Sequence, residues 1–513
     1  MPKPKKVLMI IIDQLRADCV YGALAKHVDL PNMDALRAEA VTFANHYSVT
    51  NPCGPARASI FTGQYAMNHR SIRNGTPLAN TKTNLALEMR KSGFDPFLFG
   101  YTDTTIDPTG LHPNDPDLRS EERVLPGMRE LLEMRYMESY PWRAYLKAQG
   151  YDVPDYKNFY DAISPDPSRG ARPDDPPFFK KEHSDTAFLA SAVIHDLSAR
   201  VDQDWFAVAT FLRPHPPLVA PAPYNKMYDP AKLPLPARMD TPEQEAGVHP
   251  FMSGSIIAPQ MKHMVRGCEG LMEHKNDKDV QLMRALYFGL ATEVDTHIGR
   301  IIEFLKQTGQ YDDTLILLMA DHGELLGDHH MWGKQNPYEG AYRIPLIIRD
   351  PHQTGAFGSI VEAFTESVDI TPTILDLVGR PIPKGVDGMS LKPFLEGKTP
   401  KDWRDSVHME LDFGEPNEAT HWQEATRTST NEANLAILRE AQFKLIHFNA
   451  GLPALLFDLK NDPYELNNLA ADPAHANTLL RLTQKLLSHR MKHADRTLAN
   501  VKVTSQGAIG FDS

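Results

Sequence analysis

Six consecutive apolar residues, Val7-Leu8-Met9-Ile10-Ile11-Ile12, stop abruptly at Asp13-Gln14. An unbroken β-rich run predicts a strand buried on both faces, as in a parallel sheet. The pattern recurs. Phe97 to Tyr101 ends in the polar run Thr102 to Thr105, Trp205 to Leu212 ends at Arg213-Pro214-His215-Pro216-Pro217, and Thr314 to Met319 ends at Asp321-His322-Gly323. Val41 to Val49 reads as a further strand. Between the strands lie helical segments. Pro31 to Ala40 has its proline near the start, and Pro55 to Thr62 follows the turn Asn51-Pro52. Leu286, Leu290, Val294, Ile298, Ile301 and Leu305 fall three or four apart and give one apolar face, with Gly309 suited to the C-terminal cap. This alternation predicts an α/β fold: a large, mainly parallel sheet sandwiched by helices.

Two stretches depart from the alternation. Asp107 to Lys181 is rich in Pro, Asp and Arg with weak periodicity, and reads as an extended insertion over the sheet's edge. From about Asp402 the pattern shifts to short strands, Val407 to Leu411 and Phe443 to His447, then a helix near Asn477 to Lys492. The expected division is a catalytic α/β domain over 1–400 and a smaller C-terminal α+β subdomain over 401–513.

Composition narrows the function classes. Of 513 residues, 42% are hydrophobic and 23% charged, which suits a packed globular chain. The formal net charge of -12 speaks against a general nucleic-acid binder, which needs a basic face. The cysteines Cys19, Cys53 and Cys268 are too few for a disulfide framework, so a reducing compartment is expected. Lys3, Lys5 and Lys6 precede an apolar run too short for a signal peptide, and no run is long enough to span a membrane. The expectation is a cytoplasmic protein with no nucleic-acid or membrane partner.

Sheets of this kind gather their strand ends along one edge, where sites are built. Asp13-Gln14, Cys53 to Arg57, His215 and Asp321-His322 all fall at or near such ends. Asp13, Asp321 and His322 supply two carboxylates and an imidazole, a set suited to a divalent cation. The imidazole favours manganese or zinc, and the carboxylates leave calcium and magnesium open. Cys53 stands just before a helix N-terminus, whose exposed N–H groups and dipole favour an anion and lower a thiol's pKa. Arg57, one turn on, is placed to hold a charged oxygen. Cys19 and Cys268 read as structural.

Cys53-Gly54-Pro55-Ala56-Arg57 with Thr62-Gly63 resembles the signature of the type I sulfatases. Asp321-His322-Gly323-Glu324, Gly327-Asp328-His329 and Lys334 resemble that family's late metal-and-lysine segment. Leu456-Phe457-Asp458-Leu459 through Asp462-Pro463 to Asn468-Leu469 resembles its C-terminal motif. A narrower resemblance, to the bacterial phosphonate monoester hydrolases of the alkaline phosphatase superfamily, rests on Pro52 to Ser59, Arg213 to Pro217 and His493 to Leu498. Gln14, where many sulfatases have a second Asp, and His322, where they often have Asn, agree with that branch.

The resemblance implies that Cys53 is oxidised by a formylglycine-generating enzyme and hydrated to a geminal diol. One hydroxyl attacks sulfur or phosphorus, and hemiacetal collapse then expels the product. It implies one divalent metal, manganese or calcium foremost, held by Asp13, Cys53, Asp321 and His322. Arg57 would hold the diol, His215 and Lys334 would stabilise or protonate the leaving oxygen, and Gln14, Asn74 and Tyr101 would bind non-bridging oxygens. His329 and His330 stay outside this set. The implied substrates are small anionic esters: phosphonate monoesters, phosphate diesters and sulfate monoesters. The alternatives are a dedicated arylsulfatase, a two-metal phosphomonoesterase, and a catalytically silent anion-binding homologue. By the same resemblance the tail after Ala494 packs on a neighbour in a homotetramer. Asp103 stands where the resemblance leads one to expect threonine, and nothing in the pattern accounts for it.

Overall fold

The computed structural model describes residues 4–136, 139–257, 264–268, 276–495, 499 and 501–510. Its main sheet has eight strands: β1 (Lys6–Ile12), β2 (Val41–Tyr47), β3 (Phe97–Gly100), β4 (Arg129–Glu133), β5 (Trp205–Phe211), β6 (Thr314–Ala320), β7 (Leu346–Arg349) and β8 (Ile360–Glu366). Their order is β4-β3-β5-β1-β6-β7-β2-β8. Only β7 runs antiparallel to its neighbours. The unbroken apolar runs lie at the centre, where every residue of β1, β5 and β6 is buried. Helices Pro31–Ala38, Asp185–Ser198 and Asp277–Gln307 carry further core residues, among them Met33, Leu189 and Leu290.

The register positions the site. Ile12 lies opposite Phe211 on one side and Ala320 on the other, so Asp13 and Asp321 leave neighbouring strands at one level. A backbone bond from Asp13 N to Phe211 O at 2.9 Å extends the pairing one residue further. The helix Cys53–Thr62 delivers the remaining groups to this edge. All ten of its residues are buried, and Gly63 at φ 67° closes it by donating to Ser59 O.

Several expectations need correction. The helix begins at Cys53, two residues before the expected Pro55. Pro55 is tolerated because an N–H in the first turn has no partner within the helix. The 107–181 insertion is not only an extended cover. It supplies edge strand β4 and the helix Tyr140–Ala148. In β4 only Leu132 is buried, so the sequence carries almost no alternation there.

The C-terminal part forms a four-stranded antiparallel sheet, ordered β12-β11-β10-β9: β9 (Ser406–Asp412), β10 (Asn434–Glu440), β11 (Phe443–Phe448) and β12 (Leu455–Asp458). The helix Ala476–Lys492 packs on it through Leu482 and Leu486. A hairpin of β13 (Val501–Thr504) and β14 (Gly507–Gly510) follows. Of the motif His493 to Leu498, residues 496–498 lie outside the described residues. No helix among the described residues is long and apolar enough to cross a membrane.

Candidate active site

Asp13, Cys53, Asp321 and His322 each present one ligand atom, and these atoms all lie within 4.8 Å of one another. Cys53 Sγ is 3.0 Å from His322 Nε2 and 3.8 Å from Asp13 Oδ1. His322 Nε2 is 3.6 Å from Asp13 Oδ1 and 3.7 Å from Asp321 Oδ1. His322 Nδ1 donates to Gly323 O at 3.1 Å, which leaves Nε2 as the bare nitrogen facing the cluster. Burial brings this imidazole down to about 4, so it is neutral at ordinary pH. Burial opposes charge on Asp321, yet His322, Arg57 and Lys334 hold its carboxyl at about 2. Two carboxylates, a neutral imidazole and a fourth convergent group fit one divalent cation.

Arg57 is wholly buried and braces the carboxylates. Nε donates to Asp321 Oδ2 at 2.9 Å, Nη2 to Asp13 Oδ2 at 3.2 Å and Nη1 to Tyr101 O at 2.9 Å. The guanidinium also lies 4.0 Å from the Tyr101 ring centroid. The Tyr101 hydroxyl donates to Asp13 Oδ2. Here Tyr101 fixes a carboxylate, and its hydroxyl is already committed. Asn74 Oδ1 accepts from Gly54 N at 2.9 Å, which leaves Nδ2 of this exposed side chain as an uncommitted donor.

Lys334 Nζ donates to Gln14 Oε1 at 2.7 Å, and Gln14 Nε2 donates to Glu324. Burial works against the Lys334 ammonium, but Cys53, Asp13, Asp321 and Glu324 outweigh it and raise its pKa. His215 Nδ1 donates to Pro216 O at 2.6 Å. Burial and the nearby Lys334 keep this imidazole well below its usual range, so its Nε2 carries no proton.

Every residue expected at the site is therefore near it, but one electrostatic expectation fails. The helix N-terminus does not lower the Cys53 thiol. Burial, then the adjacent Asp13, pushes it well above the ordinary cysteine range.

Two groups escaped the sequence reasoning. Glu324 is buried and accepts from Leu326 N at 3.0 Å and Gly333 N at 2.6 Å besides Gln14. Arg213 is 1% exposed and pairs with Asp185 beneath the His215 loop. Their sequence neighbourhoods were visible, but their partners are distant in sequence. His329 and His330 are both buried and lie apart from the cluster. His329 stacks on Tyr338 with ring centroids 3.5 Å apart, and His330 Nε2 donates to Met239 O. Cys19 and Cys268 are free, and burial pushes each up to about 12.

The profile of the Sulfatase family matches residues 5–380. The chain belongs to the sulfatase family. A second profile, N-sulphoglucosamine sulphohydrolase C-terminal, matches residues 327–492. Among curated relatives, this sulfatase is 39% identical over 509 residues to the multifunctional alkaline phosphatase superfamily protein PehA of Trinickia caryophylli, covering 98% of both chains. It is 27% identical to an arylsulfatase of Clostridium perfringens, over 90% of this chain and 89% of that one. Among solved structures, it is similar to the phosphonate monoester hydrolase SpPMH from Silicibacter pomeroyi, with 52% identity, TM-score 0.95 and 99% of each chain covered. The phosphonate monoester hydrolase of Agrobacterium radiobacter gives 41% identity and TM-score 0.93 over 100% of each chain.

Proposed function

We propose that this sulfatase hydrolyses phosphonate monoesters, phosphate diesters and sulfate monoesters with formylglycine made from Cys53 as nucleophile. One observation carries the reading: the Cys53 side chain sits inside the Asp13, Asp321 and His322 cluster, with Sγ 3.0 Å from His322 Nε2. A residue in that place serves as nucleophile once sulfur is replaced. Formylglycine supplies a hydrated aldehyde whose ester with the substrate breaks down without a second attack at phosphorus or sulfur. Asp13, Asp321, His322 and residue 53 would hold the metal, which when bound would supply Lewis acidity. Manganese and calcium suit an oxygen-rich set with one imidazole.

The chain's own residues divide the remaining work. Arg57 keeps Asp13 and Asp321 at fixed spacing. Lys334 keeps its ammonium, so it is the proton donor to the leaving oxygen. His215 is neutral with a bare Nε2, so it accepts a proton before it can return one. Asn74 Nδ2 and the Gln14 amide serve the non-bridging oxygens. A dedicated arylsulfatase is the second reading, favoured by the family profile. The two-metal alternative is disfavoured, because only one ligand cluster occurs among the described residues.

The reading extends to the whole protein. A formylglycine-generating enzyme acts before the site works. The free cysteines fit the cytoplasm. Residues 401–513 act as the subdomain that carries an oligomerisation tail. The exposed Leu480, Leu487 and Met491, with Val501, Val503 and Ile509 in the hairpin, support a homotetramer. Mass spectrometry of the Cys53 peptide from the native host tests the core claim, with an aldehyde in place of the thiol expected. An unmodified thiol in fully active protein overturns it. A panel of aryl esters with one leaving group separates the two readings: hydrolysis of sulfate alone selects the arylsulfatase.

A further inference from the structure

Asp103 is 7% exposed, yet its carboxylate makes no hydrogen bond or ion pair among the described residues. The backbone around it is pinned. Thr102 Oγ1 donates to Arg123 O at 3.1 Å and accepts from Leu125 N at 2.9 Å, while Thr104 and Arg123 exchange backbone bonds of 3.3 and 2.9 Å. Between these anchors Asp103 takes φ 51°, a left-handed conformation uncommon outside glycine, asparagine and aspartate. It thereby lies beside the nucleophile. A Cβ on Gly54 would meet Asn74 Oδ1 at 3.1 Å and the Asp103 carbonyl at 3.2 Å.

The charges that act on Asp103 are Glu122, Arg57, Asp13 and Glu121. Those acting on Lys334 are Cys53, Asp13, Asp321 and Glu324, and those on His215 are Lys334, Asp321 and Arg213. Asp103 is among the charges that act on Cys53 and is not among the leading ones at Lys334 or His215. In an in-line displacement the leaving oxygen departs toward Lys334, and the retained substituent on phosphorus faces elsewhere. Burial, with Glu122 close by, pushes the Asp103 carboxyl up to about 8, so an unpaired carboxylate is costly there. A cation in contact relieves that cost. A third anionic oxygen, as in a sulfate ester, increases it.

We infer that Asp103 is a specificity-determining residue. It selects phosphonate and phosphodiester substrates that carry an ammonium group on the substituent retained after hydrolysis. The inference rests on the ester-hydrolase reading of the same site.

The test uses formylglycine-bearing wild-type enzyme and the Asp103→Asn and Asp103→Glu variants. Three substrates share the 4-nitrophenyl leaving group: the 2-aminoethylphosphonate monoester, the ethylphosphonate monoester and the sulfate. In the wild type the aminoethyl ester is expected to exceed the ethyl ester in kcat/KM by about tenfold or more, ~1.4 kcal/mol. That ratio should fall as salt screens the contact. Asp103→Asn should bring the ratio close to one and raise kcat/KM for the sulfate, while Asp103→Glu should keep the amine preference. A wild-type ratio near one overturns the inference, as does a ratio that Asp103→Asn leaves unchanged. Should Asp103→Asn not fold, the salt dependence of the wild-type ratio decides alone, and a salt-independent ratio overturns it. Brisk turnover with a flat ratio sinks this inference only. No turnover of either phosphonate ester sinks the hydrolase reading and the inference together.

Discussion

Arg213 Nη1 donates to the His215 carbonyl at 3.0 Å, so a buried guanidinium holds the backbone of a residue proposed to act in the reaction. The same nitrogen reaches Pro217 O at 2.7 Å, Nε pairs with Asp185 Oδ2 at 3.0 Å, and the Tyr160 ring lies 4.5 Å away. Asp185 opens the helix Asp185–Ser198, so the loop is tied to a rigid element. Arg213→Gln is expected to lower kcat by about 100-fold through misplacement of His215. It should also cost roughly 3–5 kcal/mol of stability by leaving Asp185 uncompensated. Adding Asp185→Asn should restore the melting temperature but not kcat. A stability loss with kcat intact would show that the pair serves the fold alone.

Lys334 is the side chain expected to protonate the leaving oxygen, and its Gln14 and Glu324 partners set its position. Lys334→Ala should cost roughly 10²–10⁴-fold with alkoxide leaving groups. The cost should be much smaller with 4-nitrophenolate, which needs no proton. Kinetics across a series of leaving groups checks this, through a steeper dependence on leaving-group pKa in the variant. Equal losses for good and poor leaving groups would assign Lys334 to substrate binding instead.

The parts of the fold that were readable share one trait. The unbroken runs of β1, β5 and β6 are buried on both faces, so periodicity alone marks them. Edge strand β4 and the short β7 lack that signal. In β4 polar residues surround Leu132, and β7 is only Leu346–Arg349. At the site, residue types and strand ends located Asp13, Cys53, Asp321 and His322. The direction of the Cys53 thiol's shift was not readable, because it depends on complete burial and on Asp13, 40 residues away. Glu324 and Arg213 were missed for a similar reason, since each acts through partners that only the fold brings near.

Removing the metal should be visible without an activity assay. Arg57 occupies Oδ2 of both Asp13 and Asp321, while Oδ1 of each lies beside His322 Nε2, where a divalent cation would be held. Chelation should therefore lower the melting temperature, and saturating divalent ion should restore it. At a free ion concentration 100 times Kd the gain is about 2.7 kcal/mol. Asp321→Asn should remove most of that ion-dependent rise. A melting temperature indifferent to chelator, in protein whose metal loss is verified by elemental analysis, would remove the cation from this cluster.

Three histidines tie the C-terminal helix to the rest of the molecule, and two of them, His408 and His489, should make it acid-labile. His408 on β9 stacks on His489, and His489 on His493, each with ring centroids 4.4 Å apart. Tyr65 meets all three edge-on at 5.4, 5.0 and 5.2 Å. Arg404, Arg490 and Lys492 lie around the stack, while Glu366 accepts from Tyr65 and from the His408 backbone. Burial, reinforced by these cations and by each other, holds His408 well below its usual range and His489 at about 3. Elsewhere burial also brings His46 and His69 to about 3. A histidine depressed in the folded state binds its proton more readily when unfolded. Its stabilising contribution is present above pH ~6.5 and shrinks as pH falls toward the folded-state value. For fully buried His46 and His69 the loss at pH 5 is roughly 2 kcal/mol each. Melting temperature should therefore drop steadily between pH 7 and pH 5. Hydrogen exchange in 476–492 should rise over the same interval, ahead of the main sheet. His408→Phe, which keeps an aromatic ring without a titrating nitrogen, should flatten the melting profile and delay the exchange. An acid profile as steep in that variant as in the wild type would place the sensitivity outside the stack.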